Sequence, residues 1–160
     1  MKNIRRIFNT KGFTLIEILV VIGIIAILAS IVVVAVNPAR QFAEARNSQR
    51  QSNVESILNA VGQNIADNKG IFKCDSAGTI PTNAPATITN SGYDLRGCIV
   101  PTYIAEIPVD PSAGTISSDG STYNTGYTIT QSATTARITV CAPSAVEAAI
   151  QGSAAICVTR

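Results

Sequence analysis

The chain has 160 residues, a formal net charge of +2, four Cys, no His and no Trp. That length suits one modest domain. Without His the commonest general base and metal ligand is missing, and the basic residues form no stripe of the kind a nucleic-acid partner requires. The small net charge hides an asymmetry. The first twelve residues contain Lys2, Arg5, Arg6 and Lys11 and no acid, whereas from Phe13 onward eight Lys and Arg stand against ten Asp and Glu, a formal charge of −2.

Residues 1–12 are therefore a short basic leader, and positive residues ahead of an apolar span stay on the cytoplasmic side. Residues 13–36 follow, and Ile18 to Val36 carries no charge at all. At about 1.5 Å per residue such a helix covers about 36 Å, enough for a hydrocarbon core of about 30 Å. An ordinary secretory signal has a shorter apolar run of about 7–15 residues and a small-residue cleavage site. Ala26, Ala29 and Ser30 imitate such a site. Cleavage there would leave a secreted, disulfide-bonded binding domain, the alternative from another class. Glu17 is the anomaly in the span. A charge at the bilayer centre costs about 3 kcal/mol on insertion scales, so an acid there reads as functional, against the plainer reading of a side chain that snorkels to water. It lies four residues after Phe13, which puts both on one helix face.

Pro38 removes a helix hydrogen bond and crowds the preceding turn, so a kink is expected near Val34–Asn37, either passive or a point of bending. Helical signals then resume. Phe42 and Ala43 precede Val54, Ile57, Leu58, Val61 and Ile65, which recur at helical spacing, and Asp67, Asn68 and Gly70 form the stop. Residues 13–67 thus read as one long helix, apolar all round at first and amphipathic later. Arg40, Arg46 and Arg50 read as solvated residues or as inter-subunit ion-pair partners.

From Gly70 the composition turns to Gly, Ser, Thr, Asn and Pro. "PTNAPATITNSG" reads as loop, and "PTYIAEIPVDP" has room for one helical turn at most. "GYTIT" and "ARITVCA" alternate and read as strands joined by a hairpin at Gln131–Thr135, with Arg137 in the second. "AAICVTR" reads as a terminal strand, and "PSAVEAAI" as a helical turn or loop. Cys74, Cys98, Cys141 and Cys157 include no C-x-x-C pair, which argues against zinc, and an even count beyond a membrane span reads as two disulfides. Three connectivities are open. Cys74–Cys98 with Cys141–Cys157 is favoured because each closes a short local loop.

The acids Asp75, Asp94, Glu106, Asp110, Asp119 and Glu147 have no His or nucleophile motif beside them, so no enzyme and no cofactor are expected. "DPSAGTISSDG" offers Asp110 and Asp119 as oxygen ligands that suit calcium, without the spacing of an EF-hand, and a solvated loop is the plainer reading. Tyr93, Tyr103, Tyr123 and Tyr127 are read as half-buried packing residues ahead of a surface patch for adhesion.

Lys11-Gly12-Phe13-Thr14-Leu15-Ile16-Glu17 resembles the signal of bacterial type IV prepilins and pseudopilins. Such leaders are short and basic, end in Gly and precede an apolar helix with Glu at its fifth position. The resemblance covers about the first thirty-six residues closely, and "YIAEIPVDP" is similar to a stretch common in pilin heads. It implies cleavage after Gly12 by a membrane-bound aspartic prepilin peptidase, with Phe13 as the new, N-methylated terminus. Gly suits that place because a residue without Cβ admits close approach of an enzyme's backbone. It also implies that Glu17 of one subunit pairs with the Phe13 amine of its neighbour, which offsets burial and fixes register.

The expected fold class is α+β. A long N-terminal helix, membrane-spanning in its first half and amphipathic in its second, packs on a small antiparallel sheet, as in the type IV pilin fold. The segments are the leader 1–12, a transmembrane and polymerisation helix 13–36, an amphipathic half 37–68 and a disulfide-bonded head 69–160. The resemblance implies a major pilin in a surface filament for adhesion, twitching motility or DNA uptake, or a pseudopilin of a type II secretion system. The implied partners are further copies of the chain, the peptidase, membrane lipid before assembly and, indirectly, the assembly platform and its ATPase. A DNA partner has no support in the residues. The implied location is a single-pass cytoplasmic (inner) membrane protein with a cytoplasmic N-terminus, and then the extracellular surface.

Overall fold

A computed structural model of the chain describes residues 12–82 and 84–160. The basic leader through Lys11 lies outside the described residues. Two compact units divide at Pro38/Ala39.

The first unit contains α1, Leu15–Val36, which takes its N-cap from Thr14. Its span Leu15–Val33 is long and apolar enough to cross a membrane, and none of it is buried within the chain. Helix α1 ends at Asn37, whose φ of 46° and ψ of 80° are left-handed, a region Asn tolerates better than most residues. Helix α2 starts with Pro38 itself and runs to Asp67. The single helix expected over 13–67 is thus two helices. The physical reason is that proline disfavours the α conformation for the residue before it, while at the first position of a helix its missing N–H costs nothing.

The second unit combines α2 with a five-stranded sheet. The strands are β1 (Ala86–Thr89), β2 (Thr115–Ile116), β3 (Tyr123–Gln131), β4 (Ile138–Ala142) and β5 (Ile156–Thr159), and a short helix α3 spans Arg96–Ile99. The order is β1-β3-β4-β5, β2 pairs with the start of β3, and every ladder is antiparallel. Strand β3 alternates, with Tyr123, Thr125, Tyr127 and Ile129 buried. Tyr123, Tyr127 and Ile129, with Ile138, Val140 and Ala142 of β4, form one core with Val54, Ile57, Leu58 and Val61 of α2. The disulfides are Cys74–Cys98 and Cys141–Cys157, and the second joins directly opposed residues of β4 and β5.

Several local expectations change. Residues 86–89 are a strand inside the expected loop, because Ala86, Thr87 and Thr89 pair with β3 directly after Pro85. Helix α3 falls before "PTYIAEIPVDP", and residues 101–110 form turns and irregular chain, as their prolines dictate. Arg137 precedes β4. Strand β3 starts earlier than "GYTIT" because Tyr123 and Asn124 pair with Ile116 and Thr115 of β2; Gly126, at φ +75°, is left-handed within it, and a Cβ there would come within 2.9 Å of Asp110 Cβ. Tyr93, Tyr123 and Tyr127 are buried in the core, so they form no surface patch.

Arg50 is the largest correction. It is 0% exposed and paired within the chain. Its Nε donates to Asp110 Oδ2 at 2.7 Å, Nη1 to Glu147 Oε1 at 2.6 Å and Asn47 Oδ1 at 2.8 Å, and Nη2 to Asp110 Oδ1 at 3.2 Å and Ser112 Oγ at 2.7 Å. Arg46 adds a bidentate bond to Glu147 at 2.8 and 2.7 Å. Next to this cluster, Asn53 Nδ2 donates to Tyr127 Oη at 2.9 Å and to the Val109 carbonyl at 3.1 Å. Charge can be buried here because each donor has an acceptor.

Burial pushes the Asp110 carboxyl up, but Arg50 and the Ser112 and Ala113 N–H groups outweigh it and bring it down to about 2. Arg46 and then Arg50 lower Glu147 to about 2. Both folded values lie below the ordinary carboxylate range. The stability they contribute is therefore present above about pH 4 and is lost as pH falls toward about 2. Arg50→Ala should cost the full chain about 3–5 kcal/mol in urea unfolding, because Asp110 is left buried and unpaired. It should also flatten the acid limb of the thermal midpoint against pH.

Candidate functional site

The candidate site is linear and lies where α1 begins. Gly12, Phe13 and Thr14 precede the helix and are exposed. Thr14 has extended backbone angles (φ −79°, ψ 153°), and its Oγ1 accepts the Glu17 N–H at 3.3 Å. Its carbonyl accepts the Ile18 N–H at 3.2 Å. Thr14 and Glu17 stand at the spacing of a capping box, and Phe13 and Ile18 at that of a hydrophobic staple. A cap fixes the first helical residue as Leu15, so Phe13 lies outside the helix. The shared helix face expected for Phe13 and Glu17 is not formed in the single chain.

Glu17 sits in the first turn, where the N–H groups favour a carboxylate. Around it Phe13 is 77% exposed, Leu15 82% and Ile16 66%. A carboxylate thus stands among bare apolar side chains that no described residue covers. Gly12 has no neighbour within 4 Å of where a Cβ would lie. Packing among the described residues gives no reason for glycine there.

Asp110 and Asp119 do not share a site. Both Asp110 oxygens are taken by Arg50, Ser112 and Ala113. Asp119 is exposed, with Oδ1 accepting from Ser117 and Ser121, which lower it to about 2. Among the described residues no group of three or more His, Cys, Asp or Glu is placed to hold a metal ion. An open cleft of about 300 Å³ beside Cys74–Cys98 is lined by Asn64, Lys73 and Tyr103, but the Asn64 amide is bound to Lys73 and Cys98.

The family described as the prokaryotic N-terminal methylation motif matches residues 7–33. The chain carries the prepilin signature of type IV pilins and pseudopilins. No curated protein and no solved structure matches the chain. The prepilin signature takes in Gly12, Phe13, Thr14 and Glu17 together with most of α1, so the match and the exposed apolar helix describe one segment. The fold that follows this segment, a helix packed on a small antiparallel sheet, is α+β and pilin-like.

Calcium is expected to leave the thermal midpoint of the detergent-solubilised chain unchanged, because the Asp110 oxygens already accept five donated hydrogen bonds. A rise with calcium that a chelator reverses, and that Asp119→Asn abolishes, would overturn this expectation.

Proposed function

We propose that the chain is the major subunit of a type IV pilus, cut between Gly12 and Phe13 and polymerised through α1 into a surface filament. The observation that carries this reading is α1 itself. It is apolar on every side, uncovered along its length and marked by one carboxylate in its first turn. The prepilin signature at the same residues supports it. A bare helix of this kind needs lipid around it or copies of itself.

Hydrolysis adds water across the Gly12–Phe13 amide and leaves a Gly12 carboxylate and a Phe13 amine. A methyl group from a sulfonium donor then replaces one N–H hydrogen on that amine, and the donor leaves as a thioether. The amine stays basic and cationic. In the filament the Phe13 amine of one subunit meets Glu17 of the next, so that two charges costly in an apolar bundle satisfy each other. Only one axial stagger aligns them. Glycine at 12 serves the peptidase, since no described residue packs against it to require it there. The surface role, in preference to secretion, rests on a head rich in Gly, Ser and Thr and closed by two disulfides.

Protein sheared from the cell surface should have the mass of a chain starting at Phe13, plus one methyl, less the four hydrogens of two disulfides. The same mass found only in the membrane fraction would make it a pseudopilin. A start beyond Ala29 would mean a secreted domain and end the filament reading. Glu17→Ala should insert and be cleaved normally but fail to appear in the sheared fraction. Loss of a charge-assisted bond weakens each subunit contact by about tenfold or more. Normal filaments from that variant would refute the pairing.

A further inference from the structure

We propose that Thr14 is a positioning residue for processing: by capping α1 it keeps the Gly12–Phe13 peptide bond out of the helix and open to the peptidase. The inference rests on the cleavage reading above. It starts from the first N–H groups of α1, which have no partner inside the helix. In this chain the Glu17 N–H, one of these, is taken by the Thr14 hydroxyl, while the Thr14 carbonyl accepts the first regular helix bond, from the Ile18 N–H.

Without the hydroxyl, the nearest helical acceptor for the Glu17 N–H is the Phe13 carbonyl, four residues back. That bond draws Phe13 into the helix. The Ile16 N–H then finds the Gly12 carbonyl in the same way, and this is the carbonyl that hydrolysis must attack. Near lipid the pressure to make such bonds rises, because water is not there to satisfy the groups. Enzymes that read a main chain take it as an extended strand with its N–H and C=O free. A two-residue advance of the helix, about half a turn, therefore closes the scissile bond. The poor helix propensity of Gly12 opposes the same advance. Thr14, already extended, holds the boundary.

The test uses the full-length chain in detergent micelles with purified prepilin peptidase. Thr14→Val keeps the shape and removes the acceptor, and Thr14→Ser keeps the acceptor. Thr14→Val should lower kcat/KM for cleavage about three- to tenfold, the factor a lost N-cap sets, while Thr14→Ser stays within about twofold of the parent. Carbonyl chemical shifts at Gly12 and Phe13 should be non-helical in the parent and in Thr14→Ser, and move toward helical values in Thr14→Val. Equal cleavage of all three chains, or a Ser variant as slow as Val, overturns the inference. So do helical shifts at Gly12 in the parent, a result that needs no variant to fold. A parent chain that the peptidase does not cut after Gly12 overturns the processing reading itself, and this inference with it.

Discussion

The head is organised around one guanidinium. All five N–H groups of Arg50 are used, and their acceptors lie on α2, on the 110–112 turn and at Glu147. A planar fork with fixed donor directions can bring three segments to one point in a way that a lysine cannot. Once Arg50 holds Asp110, the chain behind it turns tightly enough that Gly126 must lack a Cβ. Once it holds Glu147, Ala145 is brought over Asn47, whose side-chain amide donates to the Ala145 carbonyl. The apolar core begins one turn further along α2, at Val54. The polar cluster sets which parts of the loops meet the helix, and the apolar stripe supplies the burial.

The two units meet their solvents in opposite ways. The second unit hides its apolar side chains against a sheet in the ordinary manner of an α+β domain. In the first, the side chains from Phe13 to Val33 lie open, with none of the described residues covering them. Asn37 and Pro38 separate these regimes by two residues. Backbone chemistry places the boundary there, with a residue that tolerates left-handed angles followed by one that can only begin a helix.

Much of this was legible from the residues. The uncharged run marked α1, alternation marked β3 and β4, and short loop closure marked both disulfides. The signal residues could be read because they are consecutive, and recognition of a linear motif needs no fold. Arg50 was misread because a charge on a helix is usually solvated, and its partners lie 60 and 97 positions away. A clue was present, since Arg50 stands four residues before Val54 and seven before Ile57, on the buried stripe. The first strand is hidden between Pro85 and the turn residues Asn90, Ser91 and Gly92. The cap at Thr14 is legible as Thr-x-x-Glu, a spacing that the linear signal overlays because both residues also belong to it.

The two disulfides close loops within residues 74–98 and 141–157, and α2 lies outside both. No covalent cross-link ties the helix to the sheet. In any assembly that grips the chain by its N-terminal segment, a force on the head reaches the sheet through the single strand of backbone after Asp67 and through side-chain contacts alone. Ion pairs and apolar packing resist over distances of a few ångströms and then let go together. The cross-linked sheet would stay intact while α2 peels away from it. The disulfides thus protect the head's own shape under load, while its yield point is set at the helix, around Arg50.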